Sequence, residues 1–183
     1  MIIIPGFLIA VLTFPGVIVH EAAHLLFCKL RRVAVFDVCF LRIGNPAGYV
    51  IHETPRDFTS SLLISTGPFI INSLLCFVIC FPAFLPMRVY HIDNDPLNWL
   101  LLWLGVSIGM HAFPSTQDAK VLWTQAVSGA KQSNLLAIVS MPLVGVIYLA
   151  NLLSFFWLDY FYGIAIGLLL PELLLKHFVR TIA

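Results

Sequence analysis

Apolar residues in this chain gather into five long runs, near residues 3–28, 59–86, 97–113, 134–157 and 161–179. Each approaches the roughly 20 apolar residues that a helix needs to cross a bilayer, so the pattern predicts five transmembrane helices. The third run is the shortest. The first holds Pro5 and Pro15, and a proline frees the carbonyl one turn earlier, so a bend is expected at Pro15-Gly16. Between the first two runs the pattern changes. Residues 33–43 are rich in β-branched and aromatic types, and Gly44-Asn45-Pro46-Ala47-Gly48 then leads into Tyr49-Val50-Ile51. Two extended runs about a Gly/Pro/Asn turn predict a short β-hairpin within 33–52. Its edge would suit an extended peptide, and the plain alternative is a loop that only links two spans. The expected fold is an all-α polytopic membrane protein, one domain over 1–183, with about five transmembrane helices and a β-hairpin between the first and second.

Composition agrees with a lipid setting. Of 183 residues, 60% are hydrophobic and 10% charged, and the mean hydropathy is +0.97. Soluble domains carry about a quarter charged residues, so that class is excluded. The formal net charge of +1 offers no basic surface for nucleic acid. In the five-span arrangement Lys29, Arg31, Arg32, Arg42, Arg56, Lys120, Lys131, Lys176 and Arg180 share one side, and Arg88 lies opposite. The positive-inside rule makes the crowded side cytoplasmic, with the N-terminus outside and the C-terminus inside. The apolar start lacks a basic n-region and is read as a span rather than a cleaved leader.

Candidate chemistry lies in the first run, as His20-Glu21-Ala22-Ala23-His24. Four-residue spacing puts both imidazoles on one helical face, where they can share a metal ion. Glu21 stands beside them, able to take a proton from a water that the metal activates. Ionisable groups are costly within a membrane and are usually functional there. A catalytic zinc site commonly has three protein ligands, so a third is required. Asp118 is best placed, after the third run on the side of His20 and His24. Glu172 is the alternative, and His111 is either a nitrogen ligand or a group orienting the others. Asp118 could also be a solvated helix cap. Asp93 and Asp95 fall on the opposite side. Cys76 and Cys80, one turn apart, are read as packing residues. Gly105/Gly109 and Gly163/Gly167 mark faces where helices can approach closely.

Three pieces together resemble the site-2 protease family of intramembrane zinc metalloproteases. They are His20-Glu21-Ala22-Ala23-His24, then Gly67-Pro68-Phe69-Ile70-Ile71-Asn72, then His111-Ala112-Phe113-Pro114 followed by Asp118-Ala119. Gly48-Tyr49-Val50 also resembles the loop that the family places between its first two core spans. Departures are present. Three residues rather than two separate Pro68 from Asn72, His111 stands where the family has Asn, and Ala119 replaces Gly. The Pro114-to-Asp118 spacing is one shorter. The resemblance implies one Zn2+ held by His20, His24 and Asp118, with Glu21 as general base. Asn72 or His111 would aid the oxyanion or orient ligands, and Gly48, Tyr49 and Val50 would form the substrate strand. The substrate would be a membrane-spanning protein segment, cut within the bilayer near its cytoplasmic face. Two rival readings are a membrane zinc transporter and an inactive relative that binds membrane segments.

Overall fold

The computed structural model describes residues 6–90, 92, 94–154 and 157–182. Residues 3–5 of the first predicted span, and Asp93, lie outside the described residues. The protein is mostly helical, with helices α1 (Gly6–Leu12), α2 (Phe14–Leu30), α3 (Phe58–Val89), α4 (Pro96–Met110), α5 (Thr116–Lys131), α6 (Leu135–Leu153), α7 (Leu158–Ile164) and α8 (Leu170–Ile182). A π-helical stretch, Ala165–Leu169, joins the last two. Strands β1 (Val35–Cys39) and β2 (Tyr49–His52) pair antiparallel inside the predicted hairpin region, with Cys39 opposite Tyr49 and Val35 opposite His52.

Among the described residues, three helices are long and apolar enough to cross a membrane: Phe58–Val89, Leu135–Leu153 and Leu158–His177. The first predicted span is not one helix. It breaks at Thr13, and Pro15 sits in the opening turn of α2. A continuous helix would drive the Pro15 ring into the carbonyl of Val11, and Pro15 has no N–H to offer it. The third predicted span is also cut short, since α4 has 15 residues, or about 22 Å at 1.5 Å per residue.

Side-chain partners fix the direction of each helix. From the end of α1 along α2, and along α4–α5, they advance in step: Leu12 with Trp103, Gly16 against Ser107, His20 with His111, His24 with Asp118. These stretches run the same way. α3 runs against both, as Gly67 meets Phe27 while Asn72 reaches Gly16. α5 continues α4 beyond a break at His111–Ser115 and packs Leu122 and Ala126 on Phe58. α6 then returns, with Ala137 beside Gly129 and Asn151 donating to the Pro114 carbonyl at 3.0 Å. α7 and α8 carry on in that direction along α4, with Gly163 at Met110, Gly167 at Val106 and Leu175 in one cluster with Leu102.

Among the described residues the helices therefore lie in four successive lengths, α2, α3, α4–α5 and α6–α8, rather than the five expected. The predicted third span is α4 extended by α5, and the fourth and fifth are successive lengths of one pass. A polar interruption reads the same in sequence whether the chain reverses or merely kinks. The predicted charge segregation fails for the same reason. Arg88 Nη2 lies 3.7 Å from Glu172 Oε1, and Lys176 Nζ lies 2.9 Å from the same oxygen. Lys176 thus belongs to the Arg88 end, and α8 finishes at the end where α2 begins. The five-span expectation would have put those two helix ends on opposite sides.

Packing between passes uses small residues. Cys76 and Cys80 of α3 are buried, and a Cβ on Gly105, Gly109 or Gly167 would press into one or both sulfurs. Gly163 lies against the α4 backbone, where a Cβ would stand 2.6 Å from the Met110 nitrogen. In lipid, where water does not drive helices together, such close approach supplies the dispersion contacts that hold them. Both glycine pairs and both cysteines are thus packing devices, as the sequence suggested.

Candidate metal centre

α2 carries His20 and His24 one turn apart, and the break between α4 and α5 brings Asp118 to them. Among the described residues, His20, His24 and Asp118 form the one group able to hold a metal, their ligand atoms all within 4.8 Å of one another. The two Nε2 atoms are 3.2 Å apart, and His24 Nε2 is 3.4 Å from Asp118 Oδ2. Two ligands at 2.0–2.1 Å from a tetrahedral zinc would be separated by about 3.3 Å, so both spacings suit such an ion.

The surroundings of each ligand aim it at that point. His20 Nδ1 meets the His111 carbonyl at 2.6 Å. A carbonyl only accepts, so Nδ1 carries the proton and Nε2 keeps its lone pair for a cation. His24 has the Ile64 carbonyl of α3 as its own backbone partner. Asp118 is the third residue of α5, and Ser115 is its N-cap. Ser115 Oγ donates to Asp118 Oδ2 at 2.5 Å, and the Ser115 N–H donates to it at 3.1 Å. The choice between ligand and cap dissolves, because one carboxylate closes the capping box and faces the imidazoles. Ser115 was missed in the sequence, although Ser-x-x-Asp after a proline was a legible helix-start signal.

Asn72 stands behind the candidate ligands, and His111 lines the smaller cavity beside His20 and Glu21. Asn72 is fully buried. Its amide nitrogen donates to the carbonyls of Ile108 at 3.1 Å, His111 at 3.1 Å and Gly16 at 3.4 Å. With those donors committed, the oxyanion role is not open to Asn72. The His111 imidazole turns away, its Nε2 2.8 Å from Thr13 Oγ1, and the backbone carbonyl of this residue serves the site. Glu172 is excluded as a third ligand by its pairing with Arg88 and Lys176.

Glu21 is buried and lines two cavities that share it, His20 and Gly48. The larger, about 660 Å³, runs beside Tyr49, Val50 and Ile51 of β2 and holds His24 and Asp118. The smaller, about 280 Å³, extends toward the α6–α7 junction. Gly48 packs directly on Glu21, and a Cβ there would stand 2.7 Å from its Cγ. In the hairpin, the Tyr49 hydroxyl donates to Asp37 at 2.8 Å, and this bond to the Asp37 carboxylate holds its pKa above the ordinary tyrosine value. The Arg42 guanidinium lies over the Tyr49 ring, 5.0 Å from its centroid. β1 pairs with one edge of β2 and leaves the other unpaired in a two-stranded sheet.

Comparison with models of protein families, with curated proteins and with solved structures found no match for this chain.

Proposed function

We propose that this chain is a membrane-embedded zinc metallopeptidase, similar to the site-2 protease family, that hydrolyses peptide bonds within or near membrane-spanning segments of other proteins. The observation that carries this reading is the convergence of His20, His24 and Asp118, with Glu21 on the wall of the same cavity. Two imidazoles, one carboxylate and an open position form a donor set that suits catalytic zinc. When bound, zinc supplies the Lewis acidity that lets water and a peptide carbonyl react at neutral pH.

The chain's own residues do the rest. Glu21 takes a proton from the attacking water on a carboxylate oxygen and delivers it to the nitrogen of the departing amine. His111, through its carbonyl, holds His20 in the tautomer that leaves Nε2 free. A helix shields its peptide carbonyls, so a substrate must enter extended. The unpaired edge of β2 offers a partner for such a strand, and Gly48 lets it pass close to Glu21. Retention of Glu21 favours an enzyme over an inactive binding relative, since holding zinc does not need that carboxylate.

The site end of the bundle carries Lys29, Arg31, Arg32, Arg42, Arg56, Lys120 and Lys131, against Arg88, Lys176 and Arg180 at the other. That imbalance supports a cytoplasmic site, with the start of α2 and the end of α8 both facing away from the cytoplasm.

The test is metal content of purified protein together with cleavage of single-span reporters in detergent, with and without a chelator. Wild type should carry one zinc per chain and cut a reporter in a chelator-sensitive way, and Asp118→Ala should lose both. Zinc uptake into proteoliposomes without any cleavage would overturn the reading in favour of transport.

A further inference from the structure

Asp159 is a carboxylate in a costly place. It lies in the first turn of α7, inside the apolar stretch Leu158–His177 that is fit to cross a membrane. It is half-buried. Its Oδ1 accepts from the Tyr160 N–H at 3.0 Å. Among the described residues, no Lys, Arg or His lies within ion-pair distance of it. An ionisable residue at membrane depth is expected to have a partner or a pathway to serve. None of the roles assigned to the metal centre uses this one.

The smaller cavity supplies the context. Glu21 and His20 form one end, and Asn151, Ser154 and Asp159 line the α6–α7 side. Between them the wall is mixed, with Val17, Met110, Phe113 and Pro114 on its apolar part and His111, Ser115 and Thr116 on its polar part. Asn151 and Ser154 spend donors on the Pro114 and Ala150 carbonyls, so the free charge on that side belongs to Asp159. At about 280 Å³ the space falls at the bottom of the range for small-molecule sites, the size for a single long side chain. An apolar strip of wall that ends at a carboxylate, with polar groups beside it, matches an aliphatic stem that carries a cation at its tip.

We infer that this cavity is a substrate subsite for a basic side chain, lysine or arginine, placed close to the bond that is cut, with Asp159 as its specificity-determining residue. The inference rests on the peptidase reading and names the substrate class for it. A membrane-spanning substrate with one basic residue near the cut would lay its backbone along β2 and turn that side chain past Glu21. The buried cation then meets an unpaired carboxylate, worth roughly 10–100-fold in discrimination, the range of a hydrogen bond to a charged group.

The experiment is a scan of N-acetylated single-span reporters, each with one position near the cut set to Lys, Met or Glu. Wild type should show one position where the Lys reporter exceeds its Met counterpart in kcat/KM by about 10–100-fold. Asp159→Asn should bring that ratio near one, Asp159→Glu should keep part of it, and Asp159→Lys should shift preference toward Glu. Zinc content and thermal midpoint of each variant report whether it is folded and loaded. A wild type that cleaves without preferring a basic residue anywhere overturns the subsite alone, even if no variant folds. So does an Asp159→Asn protein that keeps the preference. A wild type that cleaves no reporter overturns the peptidase reading, and the subsite with it.

Discussion

Asn72 and His20 meet on a single oxygen, the carbonyl of His111, the amide at 3.1 Å and the imidazole Nδ1 at 2.6 Å. One polar side chain of α3 thereby sets the orientation of a candidate ligand on α2 through the C-cap of α4. Asn72→Leu keeps the branched shape but removes the donor. It should weaken zinc binding by about 10–100-fold, as loss of a group that orients a ligand commonly does. Competition with a chelator of known affinity reads this directly, and unchanged affinity would refute the arrangement.

Glu21→Gln separates the proton carrier from the metal cage. The amide preserves shape but takes no proton, so zinc content should stay near wild type while reporter cleavage falls by at least about 100-fold. A variant that cleaves at the wild-type rate would remove Glu21 as the base.

Gly48→Ala tests the contact between hairpin and acid. The added methyl would lie 2.7 Å from Glu21 Cγ, tighter than carbon atoms pack, so Glu21 or the strand must shift. Displacements of this kind cost about 100-fold in rate when they misplace a catalytic group. Cleavage should drop with zinc content intact, which steady-state rates and elemental analysis distinguish.

Ser115→Ala removes the cap that also steadies Asp118. It should destabilise the protein by about 1 kcal/mol, the ordinary value of an N-cap. It should also loosen zinc, because Asp118 Oδ2 loses its 2.5 Å hydroxyl donor. Thermal melting with and without added zinc separates the two effects. An unaltered zinc affinity would show that the capping box does not serve the ligand.

Four passes place the start of α2 and the end of α8 at one end of the bundle. Reporter domains fused at either end of the chain should therefore show the same sidedness in membranes. Opposite sidedness would restore an odd number of spans.

The local geometry was legible in the sequence because it is written in short-range spacing. His20, Glu21 and His24 lie within a single helical turn, and helix geometry alone decides which way they face. The hairpin was likewise legible, since β-branched runs about a Gly/Pro/Asn turn have few other uses. Asp118 was picked out by its place after the third apolar run, but its double service with Ser115 was not, because that needs the positions of both oxygens. Asn72 was singled out with two tasks left open, the oxyanion or the orientation of ligands. Its residue type and neighbourhood were right, while the destination of its amide depended on where three carbonyls from other helices came to rest.

The count and direction of passes lay beyond the sequence altogether. Apolar length reports that a segment prefers lipid, but not whether the chain turns back at its end or kinks and goes on. Only Pro114 at Asn151, Met110 at Gly163 and Arg88 at Glu172 decide that, each tens of residues away in the chain. Periodicity within one helix belongs to the chain itself. The meeting of remote segments belongs to packing, where many small dispersion terms and a few buried polar bonds choose among directions that the pattern of residues leaves equal.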